Sequence, residues 1–187
     1  MIKNKIPHVI YSLIFSLLLL NAQADEINWK SAQEGNKIIL IRHALAPGGG
    51  DPSGFKIDDC KTQRNLNQTG IEQSKKIGSL FKIKNIPIDQ ILSSQWCRCK
   101  DTAKYAFSNY KEFPALNSTF RKPNDAKQKK QIKKIKNFVE NWDGKGGNLI
   151  LVTHYVIITA LTDAIPRSGE IVITDKNFKV LETIFIN

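Results

Sequence analysis

The 187-residue chain is 41% hydrophobic and 24% charged, with 28 Lys and Arg against 17 Asp and Glu and a formal net charge of +11. That length fits one domain with a real core, since domains of about 150 residues bury roughly two thirds of the surface of their unfolded chain. No internal repeat is present, and nucleic acid is not an expected partner: basic charge alone would permit it, but no recognisable binding module accompanies the charge.

Lys3 and Lys5 precede a run from Val9 to Leu20 that is apolar except for Tyr11, Ser12 and Ser16, and Asn21-Ala22-Gln23-Ala24 follows. A basic start, a short apolar centre and small residues at a cleavage site read as a signal peptide over residues 1–24; a bilayer span needs about 20 apolar residues. The competing reading, an uncleaved anchor, is disfavoured by that shortness. Cleavage after Ala24 leaves a single domain over residues 25–187 with a formal charge of +9, since Lys3 and Lys5 are lost. The mature protein is expected in the periplasm or secreted, as a monomer without an integral membrane span.

Ile38 to Ile41 is a continuous apolar, partly β-branched run, as expected of a strand buried on both faces of a parallel sheet. A Gly- and Pro-rich stretch from Ala46 to Gly54 then opens a connection lasting to about Asn67. Connections that long are functional or disordered. Thr69-Gly70-Ile71-Glu72 has capping-box spacing, and Ile71, Ile77, Leu80 and Phe81 predict an amphipathic helix ending near Lys84.

Ile88 to Leu92 reads as a second strand, after which Ser94 is expected to cap a helix whose buried stripe is Trp96, Cys99, Ala103, Ala106 and Phe107. A short extended piece is expected at Phe113 to Leu116. Lys122, Lys127, Lys129, Lys130, Lys133, Lys134 and Lys136 crowd the next helix, in which Ile132, Ile135, Val139 and Trp142 recur at helical spacing. The lysines read as its solvated face, with attraction of an anion or lipopolysaccharide as the alternative. Gly144-Lys145-Gly146-Gly147 ends the helix, Asn148 to Val152 repeats the buried-strand pattern, and a short helix runs to Asp163. Ile171 to Thr174 and Phe178 to Ile186 predict an antiparallel hairpin turned at Asp175-Lys176-Asn177. Strands alternating with helices in this way predict an α/β three-layer sandwich: a mostly parallel central sheet, helices on both faces and a C-terminal antiparallel hairpin.

Three cysteines, Cys60, Cys97 and Cys99, enter an oxidising compartment under this reading. Cys97 and Cys99 are two apart on a helix and point in different directions, so Cys60 reaches only one of them. A Cys60–Cys97 disulfide is favoured, because Cys99 falls on the apolar stripe.

With His8 removed in the signal peptide, two histidines remain, His43 and His154, and each follows a buried apolar strand. Ligands of open parallel sheets bind in the crevice outside the carboxyl ends of the strands, so the two imidazoles should meet there. Arg98 reaches the same crevice from beside a helix N-terminus, and Arg42 adds a second guanidinium. Taken singly, each histidine would read as a satisfied strand-end residue. Two arginines with two imidazoles instead suit a tetrahedral dianion, because arginine matches phosphate oxygens bidentately and stays charged.

Leu40-Ile41-Arg42-His43, Arg64-Asn65-Leu66-Asn67-Gln68-Thr69-Gly70 with Gln73, Ser93 to Ala103, and Val152-Thr153-His154 together resemble the histidine phosphatase (phosphoglycerate mutase-like) superfamily. The resemblance implies a phosphoglycerate mutase-like fold and a phosphohistidine intermediate on His43, with Arg42, Arg98 and His154 holding the transferred group. It implies no cofactor and no metal. Export, a short single domain, the turn Ser168-Gly169-Glu170 and Cys97-Arg98-Cys99 are similar to a bacterial subgroup that dephosphorylates lipopolysaccharide core heptose. The expected partner is therefore a phosphorylated small molecule or an envelope glycan.

The chain also departs from the family pattern. Ala44 replaces the usual Gly after Arg-His. One branch places its acidic proton donor where this chain has Ser118, and the other where it has Tyr155. A leaving group that needs no protonation is one resolution; another carboxylate, Glu170 ahead of Asp51, is the other, although Glu170 reads first as a strand-start carboxylate in the turn Ser168-Gly169-Glu170. The missing acid also keeps open a non-catalytic phosphate-binding module on the same fold. A metal site built from the histidines and a cysteine is disfavoured, since arginines repel a cation.

Overall fold

The structure is a computed structural model that describes residues 29–121 and 125–186. The signal-peptide segment and Lys122 lie outside the described residues.

Six strands form one sheet in the order β3-β2-β4-β1-β5-β6. The strands are β1 Ile38–Arg42, β2 Ile88–Ser93, β3 Lys111–Glu112, β4 Asn148–Thr153, β5 Ile171–Thr174 and β6 Val180–Ile184. β1, β2, β3 and β4 run parallel, whereas β5 pairs antiparallel with both β1 and β6. The helices are α1 Lys30–Gln33, α2 Gln68–Ile83, α3 Cys97–Phe107, α4 Ala126–Glu140 and α5 Tyr155–Thr162.

Side chains alternate across a strand, so each continuously apolar strand feeds two cores. Ile39, Ile41, Ile150 and Val152 face Ile77, Phe81 and Ala103, which places α2 and α3 on one side of the sheet. Ile38, Leu40, Leu149 and Leu151 face Ile135, Val139 and Ile157, which places α4 and α5 on the other. This is the expected three-layer sandwich. β1 and β4 are central and buried on both faces, as their unbroken apolar runs require.

Several boundaries differ from expectation, each for a local reason. Asn67, not Thr69, caps α2: its Oδ1 accepts from Gly70 N–H at 2.9 Å. Ser94 does not cap α3, whose N-cap is Trp96 without a side-chain bond. The piece at Phe113 to Leu116 is mostly a 3₁₀ turn at Pro114–Leu116, and the edge strand β3 precedes it. Pro114 starts the turn because its fixed φ suits a helical first position and its missing N–H is not needed there. α4 ends at Glu140, so Trp142 and the glycines lie beyond it.

Candidate active site

β1 and β4 pair in register from Ile38↔Leu149 to Arg42↔Thr153, so His43 and His154 are the next residues on neighbouring parallel strands. His43 N–H donates to Thr153 O at 2.9 Å, and the imidazole centroids are 5.4 Å apart. Both rings are buried, at 2% and 3% exposure. β2 lies on the other side of β4 and delivers Ser94 to His154. α3 then returns over the sheet with Arg98 in its first turn, 3% exposed.

The hydrogen bonds select the tautomer of His43. Its Nδ1 is 2.8 Å from Ala44 O, which only accepts, so Nδ1 carries the proton. Nε2 therefore presents a lone pair, which accepts from Arg98 Nε–H at 3.2 Å. Burial lowers the pKa of His43 well below the usual imidazole value, and the charges of Arg98, Arg42 and Arg64 lower it further. The ring is neutral and nucleophilic at neutral pH.

His154 is held in the complementary way. Asn117 Oδ1, oriented by Gln95 N–H at 2.9 Å, is an acceptor 3.1 Å from Ser94 Oγ. Ser94 thus gives its proton to Asn117 and accepts from His154 Nε2 at 3.0 Å, and His154 lines the cavity. Burial, then the neighbouring His43 and Arg98, push this imidazole well below its ordinary pKa as well. Cys99 lies 3.4 Å from the same Nε2, and burial pushes its thiol up to about 12, so it stays a neutral filler.

Arg98 is gripped by a carboxylate. Asp51 Oδ1 and Oδ2 accept from its Nη1 and Nη2 at 2.7 and 3.1 Å, while Trp96 Nε1 and Arg64 N–H donate to the same carboxylate. Burial alone would raise the pKa of Asp51, but the Arg98 hydrogen bonds and charge, with Trp96 and the Arg64 amide, hold it below the usual carboxylate range. Arg42 donates from Nη1 to Pro166 O at 2.9 Å and lies over the Tyr155 ring, whereas its Nε is buried without a partner. Arg64 donates to the Gly50 and Ala46 carbonyls from the glycine-rich loop.

A cavity of about 130 Å³ opens among these groups. Arg42, His43, Arg98 and His154 all line it, so the sequence-predicted set is brought together. Ser118 and Tyr155, the two positions where the resemblance leads to an expected acid, line it too. Glu170 is not among its lining residues and sits in the turn that Ser168-Gly169-Glu170 marks. Its Oε2 accepts from Arg167 N–H at 2.6 Å and closes the turn after Pro166. Among the described residues, Asp51 is the one carboxylate that lines the cavity. Arg64 lines it as well. Sequence reasoning read Arg64 only as part of a resembling segment, because a lone loop arginine has no periodicity to place it. Cys60 and Cys97 are disulfide-bonded with Cα atoms 5.7 Å apart, tying the long loop to the first turn of α3. Among the described residues, no three His, Cys, Asp or Glu side chains cluster as metal ligands would.

Comparison with known proteins follows the same lines. A family model of the histidine phosphatase superfamily, branch 1, matches residues 38–118, which include Arg42, His43 and Arg98 but not His154. No curated protein matches the chain. Among solved structures, protein histidine phosphatase SixA in complex with tungstate is similar with a TM-score of 0.55 at 14% identity, covering 79% of this chain and 96% of that one. An Agrobacterium tumefaciens protein classed as a phosphohistidine phosphatase SixA gives 0.57 at 16% identity, covering 82% and 99%. Phosphoglycerate mutase from Thermus thermophilus gives 0.53 at 16%, covering 81% and 99%. The shared property at these identities is the fold, a phosphoglycerate mutase-like sandwich.

Proposed function

We propose that the chain is a histidine phosphatase that hydrolyses phosphate monoesters through a phosphohistidine on His43, acting outside the cytoplasm on phosphorylated sugars of the cell envelope. The observation that carries this reading is the lone pair of His43 Nε2, fixed by the Nδ1 bond to Ala44 O in a cavity lined by Arg42, Arg64 and Arg98. The superfamily match over residues 38–118 supports it, as does the tetrahedral oxyanion tungstate held by the similar SixA structure.

In this mechanism Nε2 attacks phosphorus; the N–P bond forms as the ester P–O bond breaks, and the departing oxygen takes a proton. Water then attacks the phosphohistidine, the N–P bond breaks and inorganic phosphate leaves, so one hard displacement becomes two easier ones. The guanidinium groups are in place before charge moves, which is where such sites gain most of their rate. The unpartnered Arg42 Nε is a donor ready for a phosphoryl oxygen.

Asp51 supplies the proton in this scheme. It is ionised while Arg98 holds it, but a phosphate dianion competing for Arg98 releases the carboxylate and raises its pKa by like-charge proximity. In the second step it takes a proton from the attacking water. The N-terminal sequence and the Cys60–Cys97 disulfide support an oxidising, exported location, and the resemblance to lipopolysaccharide core phosphatases supports an envelope sugar as substrate.

The test is hydrolysis of para-nitrophenyl phosphate by the purified protein without added metal, together with rapid-quench trapping of an acid-labile, base-stable phosphoryl label. His43→Ala is expected to abolish both while keeping the circular dichroism spectrum. Retained turnover in that variant overturns the reading; phosphate binding with no label in the wild type assigns a non-catalytic phosphate-binding module instead.

A further inference from the structure

We propose that the groove between α4 and α5 is a second anion-binding subsite, which holds the distal charged group of an elongated, multiply phosphorylated sugar while its reacting phosphoryl group sits at His43. The groove encloses about 810 Å³, against about 130 Å³ for the cavity around His43. The two adjoin, because Phe120 and Tyr155 line both. Phe120 is 49% exposed at this threshold and stands 6.1 Å from Tyr155, centroid to centroid.

Beyond the threshold, one wall is a rail of Lys129, Lys133 and Lys136, and the floor is Ile132, Val156 and Ala160. Lys129, Lys133 and Lys136 are exposed and enter no ion pair among the described residues. Asp163 is the one carboxylate in the lining among the described residues. At 1.5 Å of rise per residue the rail extends about 10 Å along the helix. Gln128 Nε2 donates to Thr119 Oγ1 at 2.7 Å and to Val156 O at 3.3 Å, so the first turn of α4 is pinned beside the start of α5. The Lys129 end of the rail therefore begins near the catalytic cavity and the Lys136 end lies farthest from it.

Charge patterning separates this from an ordinary solvated helix face. α4 carries six lysines against a single acid, Glu140 at its last position. A solvated face normally mixes signs, and like charges at i,i+4, here Lys129 with Lys133 and Lys130 with Lys134, destabilise a helix. An anionic ligand along the rail offsets that repulsion. The occupant that fits both the adjacency and the charge is the rest of the substrate: one phosphate at His43, an apolar sugar face over Phe120 and Tyr155, and a second phosphate on the lysines. This inference rests on the phosphatase reading for the position of the first phosphate.

The experiment compares a hexose 1,6-bisphosphate, a hexose 6-phosphate and para-nitrophenyl phosphate as substrates. The groove variant is Lys129→Gln with Lys133→Gln and Lys136→Gln; the control is Lys111→Gln with Lys130→Gln and Lys134→Gln, which removes the same charge elsewhere. The groove variant is expected to raise KM for the bisphosphate about tenfold, from the loss of three exposed charge contacts, with little change in kcat. Its selectivity for bisphosphate over monophosphate falls accordingly, and the control keeps the wild-type selectivity. Unchanged selectivity in the groove variant, or an equal loss in the control, overturns the subsite. If the wild type turns over no ester, the phosphatase reading fails separately, and calorimetric titration with the bisphosphate decides the groove: binding weakened about tenfold in the groove variant sustains it, and equal binding overturns it. Lysine-dependent sedimentation with phosphatidylglycerol vesicles, without preference for the bisphosphate, also overturns it and assigns the face to a membrane surface.

Discussion

At the scale of single residues, the site is self-occupied: Arg98 Nε covers the lone pair of His43 Nε2, and Asp51 takes both remaining arms of the same guanidinium. Under the proposed mechanism phosphate must displace both contacts, so Asp51 would compete with the ligand and then serve as the acid. Asp51→Asn keeps an acceptor for Arg98 but removes the competing charge and the proton. Inorganic phosphate should then inhibit several-fold more tightly, by the order of a partly exposed charge contact. Turnover of an alkyl phosphate should fall about 100-fold or more while para-nitrophenyl phosphate, whose leaving group is a good one, is much less affected. A uniform loss on both esters would remove Asp51 from proton transfer. The depressed pKa of His43 makes a second prediction. Because burial and arginine charge keep Nε2 unprotonated, kcat/KM should show no loss with a midpoint near pH 6.5, the ordinary imidazole value. Its acid limb should lie well below that, and Arg64→Gln, which removes one of the charges lowering the pKa, should move the limb upward. Arg42, His43, Arg98 and His154 were legible because each sits at a strand end or in a first helical turn. Asp51 and Arg64 reach the cavity only because the glycine-rich loop folds back, which no local pattern encodes, whereas Glu170 falls in the turn that Ser168-Gly169 marks.

At the scale of elements, α3 is positioned by two close contacts that carry separable predictions. The Cys60–Cys97 disulfide joins the loop to the first turn of α3, across 37 residues of sequence separation. Constraining a loop of that size in the unfolded chain contributes about 4 kcal/mol, so Cys60→Ser with Cys97→Ser should lower Tm by about 10 °C. It should also depress kcat/KM, since Arg98 follows Cys97 directly. A variant with the lower Tm and undiminished kcat/KM would show that the loop, not α3, absorbs the slack. On the other side of α3, a Cβ at Gly78 would run into the carbonyl of Ala106. Gly78→Ala must therefore separate α2 from α3, and overpacking of this kind costs about 1–3 kcal/mol, readable by urea denaturation. A neutral or stabilised variant would mean that the helices slide freely. The strands and the helix faces were legible from apolar spacing, which responds directly to burial. The caps and β3 were not: the cap of α2 lies two residues before Thr69, where Asn67 Oδ1 accepts from the Gly70 amide, and a two-residue edge strand has no periodicity to detect.

At the scale of the whole molecule, the parallel pairing of β1 with β4 decides where the two buried histidines go, and that placement also sets how stability responds to pH. The recurrence of an apolar run ending in histidine made the adjacency legible, whereas the strand order, with β5 antiparallel beside β1, depends on tertiary packing that no single segment encodes. Both folded-state pKa values lie well below the ordinary imidazole value, chiefly because of burial. The unfolded chain therefore binds more protons than the folded one once the pH falls below about 6.5, and the stability these groups contribute at higher pH is lost on acidification through that value and onward toward the folded pKa. The slope approaches about 1.4 kcal/mol per pH unit for each histidine. Asp51 acts in a lower window: its depressed pKa adds stability above its unfolded value of about 3.9, lost only below it. Urea denaturation at about pH 7.5, 6.5 and 5.5 should then show a loss steepening below pH 6.5. His43→Asn and His154→Asn should each remove one histidine's share of that steepening, and the double variant should be nearly flat across the interval. Single variants that keep the full wild-type slope would show that the buried imidazoles are not what makes the fold acid-sensitive.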